Sequence, residues 1–504
     1  MNKFYRIVFI FFVIYPCITL AKTINPLDYG LLEAETGEER FWVLYRTHEL
    51  AYTQNWKVSY NGIIQLVLDI PSDAKSIPLS DNSDFCNTHF VVTNTKKKNF
   101  YLFMLSQPLH TVSVSKEMID VRDFRNVEEL RYGKKLLIIE DKNPWVVNRT
   151  GHNYGFTRRD VLLLRRGRAI NKTISPYDND YSIPNCKYVE VSSKQKTFKN
   201  IIFERAADSS EKTYLLKICN QNNVLLDSLR IITPEPITMT GDVAIMVENC
   251  ARVFFSNIMI EGTYSSVYEF GYGIALDNVW DSYFYNIKSK SAWGVFGNNN
   301  VNTVHMSNSS SNRFDAHCYA RDFFFTNCAF SLVGLNQSSF MGELVFDHCT
   351  FNNAIVCDSR YDYNAYTPFN IILKDCTVYP DKRHPTFVRL GEVPQRSSSR
   401  FELQNKYTPS ISVSNTKIIL DEQTPSFYLF QLGFNAGDNP FDYWGKIMVD
   451  DLKIVGDNKK MMVVNRKVES NDDVKIELKK IDFESERNSN KTMQKIVINV
   501  KAKK

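Results

Sequence analysis

The sequence predicts an all-β protein wound as a parallel β-helix, and three observations predict it. First, short β-prone runs recur through the middle of the chain, each broken by one polar residue: "ARVFFSNIMIEG", "WDSYFYNIKSK", "VNTVHMSNSS", "ARDFFFTNCAF", "GELVFDHCTF", "FNIILKDCTV", "SISVSNTKIIL" and "GKIMVDDLKIV". Second, the polar positions (Asn257, Asn286, Asn308, Asn327, His348, Asp375, Asn415 and Asp451) are unevenly spaced, from 19 residues between Asn308 and Asn327 to 40 between Asp375 and Asn415. Solenoids of helical hairpins keep a near-fixed period, whereas the coils of a β-helix accept loops of any length between their strands. Third, Asn249, Asn278 and Asn300 form a second mark, eight residues before the first. Asn tolerates a left-handed bend and can pair its amide with the next coil, about 4.8 Å away. A β-sandwich would alternate more cleanly, with strands at about 8–12 residue spacing and no Asn columns.

The elements follow in chain order. Residues 1–21, "MNKFYRIVFIFFVIYPCITLA", read as a secretory signal: Lys3 and Arg6 start it, Ile7 to Ile14 are apolar, and Thr19-Leu20-Ala21 suits cleavage. The apolar run is too short to span a bilayer. Tyr15-Pro16 makes a poor lipobox before Cys17, so no lipid anchor is expected there. The expected location is secreted, periplasmic or cell-surface. Residues 22–60 contain the best helical stretch, "TGEERFWVLYRTHELAYTQN" (36–55), expected to cap the open end of the β-helix. The β-helix itself is expected over residues 61–485. "GIIQLVLDIP" (62–71), "THFVVTNT" (88–95), "LLIIED" (136–141) and "DVLLLRRGR" (160–168) read as its early strands. The tail, with residues 486–504 at its charged end, alternates like edge strands closing the other end. With no Pro- or Gly-rich linker, one elongated domain is expected.

Composition narrows the function. Forty-three per cent of the chain is apolar, enough for a large core. Lys and Arg number 61 against 56 Asp and Glu, and two of the basic residues lie in the leader, so no nucleic-acid partner is expected. No segment beyond the leader reads as transmembrane, and a monomer is expected. Cys328, Cys349 and Cys376 occupy near-identical settings, as small buried hydrophobes stacked in a repeat would. That reading is preferred to disulfides. Paired C-x₂₋₄-C spacings for zinc are absent.

One segment departs from the repeat. In "NRFDAHCYARD", Arg313, Asp315, His317, Tyr319 and Arg321 fall at every second position. On a strand they share a face, with Phe314, Ala316, Cys318 and Ala320 facing inward. The 19-residue step from Asn308 to Asn327 sets Asn298 beside His317, Asn300 beside Tyr319 and Asn302 beside Arg321. Six arginines (Arg149, Arg158, Arg159, Arg165, Arg166 and Arg168) crowd one stretch, a pattern that fits either a polyanion partner or a solvated edge.

"INPLDYGLLEA", "EDKNPWVVNRTGHNYGFTRRDVLLLRRG" and "AWGVFGNNNVNTVHMSNSSSNRFDAHCYARDFFFTNCAF" resemble the secreted, pectate-lyase-like β-helix proteins of gut Bacteroidetes. Related "RFDAH" motifs occur in phage-borne β-helix proteins. The resemblance spans most of residues 24–380. It implies a single-stranded right-handed parallel β-helix of the pectin-lyase-like class. It also implies a polysaccharide lyase acting on glycosaminoglycans of the chondroitin sulfate, dermatan or hyaluronan type. The fold equally hosts hydrolases, epimerases and binding proteins.

A uronate lyase must neutralise the sugar carboxylate, remove the C5 proton and protonate the O4 leaving group. His317 is read as the base and Tyr319 as the acid, with the two roles interchangeable at this stage. Arg321 and Asn300 are read as holding the carboxylate. Arg313, Asn298, Asp315, Tyr272, Trp293, Glu343 and Arg360 are read as substrate-binding. Tyr272 lies in "GTYSSVYEFGYG" and Arg360 opens "RYDYNAY", both rich in tyrosine. Some β-helix lyases use calcium, but no D-x-D-x-D loop is present, so a metal-independent reaction without a cofactor is expected. Two alternatives stay open: a hydrolase using Asp315 with Glu343 or Asp322, and a protein that only binds carbohydrate.

Overall fold

The computed structural model describes residues 22–500 except 147–155, 175–183, 206–212, 234–241, 263–270, 291–293, 338–339, 360–368, 381, 383–385, 391–408, 422–426, 433–445, 457–460, 465–473 and 485–490. The signal-peptide stretch, Trp293 and Arg360 therefore lie outside the described residues. The chain is a right-handed parallel β-helix, and among the described residues 26 strands join in one hydrogen-bonded system. Asp242–Gly262, Gly271–Lys290, Gly294–Ser307 and Ser310–Thr326 stack in parallel, coil on coil.

The polar columns make the bends. All eight positions of the first column are left-handed, with φ between 41° and 60°. Asn249, Asn278 and Asn300 are left-handed too, at 53°, 57° and 51°. A residue bearing a Cβ resists this conformation by about 1–2 kcal/mol, and Asn lowers the penalty through local hydrogen bonds. The amides also tie coils together: Asn278 Nδ2 donates to Asn249 Oδ1 at 2.8 Å, and Asn286 Nδ2 to Asn257 Oδ1 at 2.8 Å.

Between bends, alternate residues fill the bore. Phe255 stacks on Phe284 (4.5 Å between centroids) and Phe325 on Phe346 (5.1 Å). Cys328, Cys349 and Cys376 are buried in the same core, and all eight described cysteines are free. Their Sγ–H groups donate to the carbonyls of Thr326 (3.4 Å), Asp347 (3.5 Å) and Lys374 (3.2 Å).

The helix Gly37–Gln54 caps the first coil. Thr36 and Glu39 close it in a capping box, and Phe41, Leu44 and Ala51 bury its inner face. At the other end Lys491–Val500 folds back antiparallel on Val474–Glu484.

Two expected coils are not coils. Lys134–Val146, which contains "LLIIED", and Phe156–Arg165, within "DVLLLRRGR", pair antiparallel. With His110–Val112, Arg168–Ala169 and Asn185–Glu190 they form a separate five-stranded sheet. Their runs are apolar on both faces because both faces are covered. Leu137, Ile139, Leu162 and Leu164 pack into the insert's own core. Leu136, Ile138, Val161 and Leu163 pack with Ala251 and Trp280 of the β-helix.

Candidate active site

The burst forms part of the strand Ser310–Thr326, with Phe314, Ala316 and Ala320 buried inward as the alternation requires. Register against the preceding coil slips at one place: Asn298 pairs with Ala316, and Asn299 with Cys318. His317 is the extra residue, a β-bulge, which re-aims its side chain. Asn298 is therefore opposite Ala316 rather than His317. Asn302 pairs with Arg321 as expected.

Arg313, Asp315 and His317 meet Tyr272, two coils earlier. The Tyr272 hydroxyl donates to Asp315 Oδ2 at 2.6 Å and lies 3.1 Å from His317 Nε2. Arg313 donates to Asp315 Oδ1 from Nε (2.8 Å) and Nη2 (2.7 Å). Asp315 is fully buried. Burial alone would raise its pKa. Arg313, His317 and the Tyr272 hydroxyl outweigh burial and hold the carboxyl well below the usual range. It is a fixed anion.

Tyr319 does not share this face. It is left-handed, with φ of 56°, and fully buried. It falls at the bend that Asn249, Asn278 and Asn300 make in earlier coils, so strict alternation ends at His317. A tyrosine inside the wall cannot present its hydroxyl to a sugar as the acid. Arg313 is likewise no free subsite cation, since its guanidinium is buried against Asp315.

Asn300 and Arg321 contact the insert. Asn300 Oδ1 accepts from the Arg159 N–H at 3.1 Å, and Asn302 Nδ2 donates to the Lys172 carbonyl at 2.7 Å. Arg321 donates to the Ile174 carbonyl (3.0 Å) and to Asp322 Oδ2 (3.2 Å). Asp322 also accepts from the Glu343 N–H at 2.9 Å, capping a bend, while the Glu343 side chain is exposed. Asp315 and Asp322 thus belong to different networks, and neither is a free carboxyl.

Sequence reasoning missed two site residues. Asp277, on the coil of Tyr272, is paired with Arg159 of the insert. Burial raises its pKa despite that partner. Asn336 pairs in register with Asp315 on the next coil, and its buried Oδ1 has no hydrogen-bond partner. Asn336 lies 21 residues after Asp315, the same step as Asp322 to Glu343, so coil arithmetic could have found it.

Among the described residues one group could gather a metal: Asp347, His348 and Asp375, whose ligand atoms lie within 4.8 Å of one another. It sits on the outer bend column, apart from the Tyr272 cluster. At that cluster a single carboxylate already carries a guanidinium. The donor set does not fit calcium, which takes 6–8 oxygens.

No known family matches the chain and no curated protein matches its sequence. Solved structures resemble it in fold. The tailspike protein gp49 of Pseudomonas phage LKA1 matches with a TM-score of 0.56 at 15% identity, over 88% of this chain and 80% of that one. The A-module of the Azotobacter vinelandii mannuronan C-5 epimerase AlgE4 gives 0.38 at 9% identity, over 87% and 99%. The Yersinia enterocolitica family 28 exopolygalacturonase gives 0.34 at 11% identity, over 86% and 78%. The protein is thus defined by its class, a parallel β-helix carrying a buried carboxylate beneath a tyrosine–histidine pair. Among the described residues no helix is long and apolar enough to cross a membrane.

Proposed function

We propose that the protein acts on polysaccharide, and that it cleaves a uronate-containing, sulfated glycosaminoglycan by β-elimination at the Tyr272–His317 pair. One observation carries this reading: two proton-transfer groups lie 3.1 Å apart, with Tyr272 anchored at 2.6 Å on a buried anion. His317 removes the C5 proton. The electrons form the C4–C5 double bond and expel O4, which takes the Tyr272 proton. The imidazolium then returns its proton to the phenolate across their short contact, and both groups are reset. Asp315 is a positioning residue: it accepts from the Tyr272 hydroxyl at 2.6 Å and fixes the phenol beside His317.

Hydrolysis needs two accessible carboxyls flanking the bond. Asp315 is sealed in an ion pair and Asp322 caps a bend, so the pairs Asp315–Glu343 and Asp315–Asp322 are poorly placed for it. The test mixes purified protein with chondroitin sulfate, dermatan sulfate and hyaluronan and follows ultraviolet absorbance. Elimination yields an unsaturated, absorbing product. Reducing ends without absorbance would make the protein a hydrolase, and binding without either product would make it a lectin-like β-helix.

A further inference from the structure

The insert carries a row of cations that its own fold disfavours. Arg165 pairs directly with Lys134 on one side and with Arg168 on the other, and Arg168 bridges onward to Asp123. Residues directly opposite across antiparallel strands project to one face, and like charges so placed destabilise a sheet. Among the described residues no carboxylate pairs with Arg165, Arg166 or Lys134. Asp123 is shared between Arg125 (2.6 Å) and Arg168 (3.8 Å).

Arg165, Arg166 and Arg168 are exposed. Arg252 of the β-helix adds to the field: desolvation lowers the Lys134 pKa, and Arg252 and Arg165 depress it further. Arg252 is held only loosely, 3.8 Å from Asp281. A fold that sets six cations (Arg125, Lys134, Arg165, Arg166, Arg168 and Arg252) around two carboxylates (Asp123 and Asp281) leaves positive charge for an outside partner.

Position indicates which partner. Arg159, Val161, Leu163 and Arg165 alternate on the face of one strand that looks toward the β-helix. Arg159 ends on Asp277, beside the candidate active site. Arg165 is six residues away, roughly 20 Å along the strand. We propose that the Lys134–Arg165–Arg168 row is a second, non-catalytic binding site for acidic polysaccharide, which holds the polymer while the Tyr272–His317 pair works on it. The inference rests on reading the substrate as an acidic glycan.

The test uses the full chain with Lys134→Gln and Arg165→Gln combined, and dextran sulfate as the probe. Affinity is expected to fall about threefold to tenfold, as for two exposed charge contacts, and wild-type binding is expected to weaken with salt. The melting temperature should hold or rise, because a repulsion is relieved. On substrates, KM for long polymer should rise while turnover of a short oligosaccharide stays unchanged. Lys288→Gln with Lys446→Gln, which removes two exposed cations elsewhere, should change neither. Binding is read without turnover, so an absence of eliminase activity would sink the proposed function and leave this test standing. Unchanged dextran sulfate affinity would overturn the inference, as would a marked fall in melting temperature. So would a wild-type preference for duplex DNA or phosphatidylserine vesicles that the double variant loses.

Discussion

Tyr272 and Tyr319 are both tyrosines near one histidine, and only their backbones separate their roles. Tyr272 reaches His317 and Asp315 from the face of a strand, while Tyr319 turns into the wall at a left-handed bend. Tyr272→Phe and His317→Ala should each lower kcat by about 10²–10⁴, the usual scale for a positioned proton-transfer group. Tyr319→Phe should leave kcat nearly unchanged, and steady-state rates on the cleaved glycan separate the two tyrosines. Arg313→Ala should act on stability rather than on KM. It strands the buried Asp315 charge, and breaking a buried pair costs about 3–5 kcal/mol, read by urea unfolding. The Asp315 pKa is depressed by folding. Its stabilisation is therefore full above the unfolded value of about 3.9 and drains away as pH falls below it toward the folded value. Wild type and Asp315→Asn should accordingly converge in stability in acid; a gap that stays constant from neutral pH to pH of about 3 would contradict the fixed-anion assignment.

At the scale of elements, the bends were the most legible feature of the sequence. Every residue of the first polar column turned out left-handed, because only Asn, Asp and occasionally His relieve that backbone cheaply. Asn286→Ala should lose the bond to Asn257 and strain the bend, costing about 1–2 kcal/mol in denaturant unfolding. What the repeat could not show was its own interruption. A one-residue bulge at His317 leaves hydrophobic alternation intact on the inward side, through Phe314, Ala316 and Ala320. The outward side is polar in either register, so nothing in the composition of "RFDAHCYARD" marks where alternation stops. The face holding Arg313, Asp315 and His317 was therefore legible, and the departure of Tyr319 and Arg321 from it was not.

At the scale of the whole molecule, the sequence suggested one continuous solenoid, and the antiparallel insert breaks that picture. "LLIIED" and "DVLLLRRGR" have the β-propensity of coil strands, and propensity carries no information on whether the next strand runs parallel or antiparallel. Contacts that bring the insert to the β-helix come from residues nearly 150 positions away, such as Arg321 on Ile174, which no local pattern encodes. These contacts are few and polar at the site end: Asn300 to the Arg159 N–H, Asn302 to the Lys172 carbonyl, Arg321 to the Ile174 carbonyl and Arg159 on Asp277. The apolar seam of Leu136, Ile138, Val161 and Leu163 with Ala251 and Trp280 carries the rest. A solenoid coil depends mainly on its neighbours, so loosening the clamp should not propagate along the coils. Asn302→Ala with Arg321→Ala removes two of the polar ties and leaves the seam. Amide hydrogen exchange should then speed up in residues 156–174, by about tenfold to a hundredfold for two lost bonds of about 1 kcal/mol each. Exchange in the coil strand Asp242–Gly262 should stay as slow as in wild type. If protection falls equally in both regions, the insert is not a separately docked unit but part of the same cooperative fold.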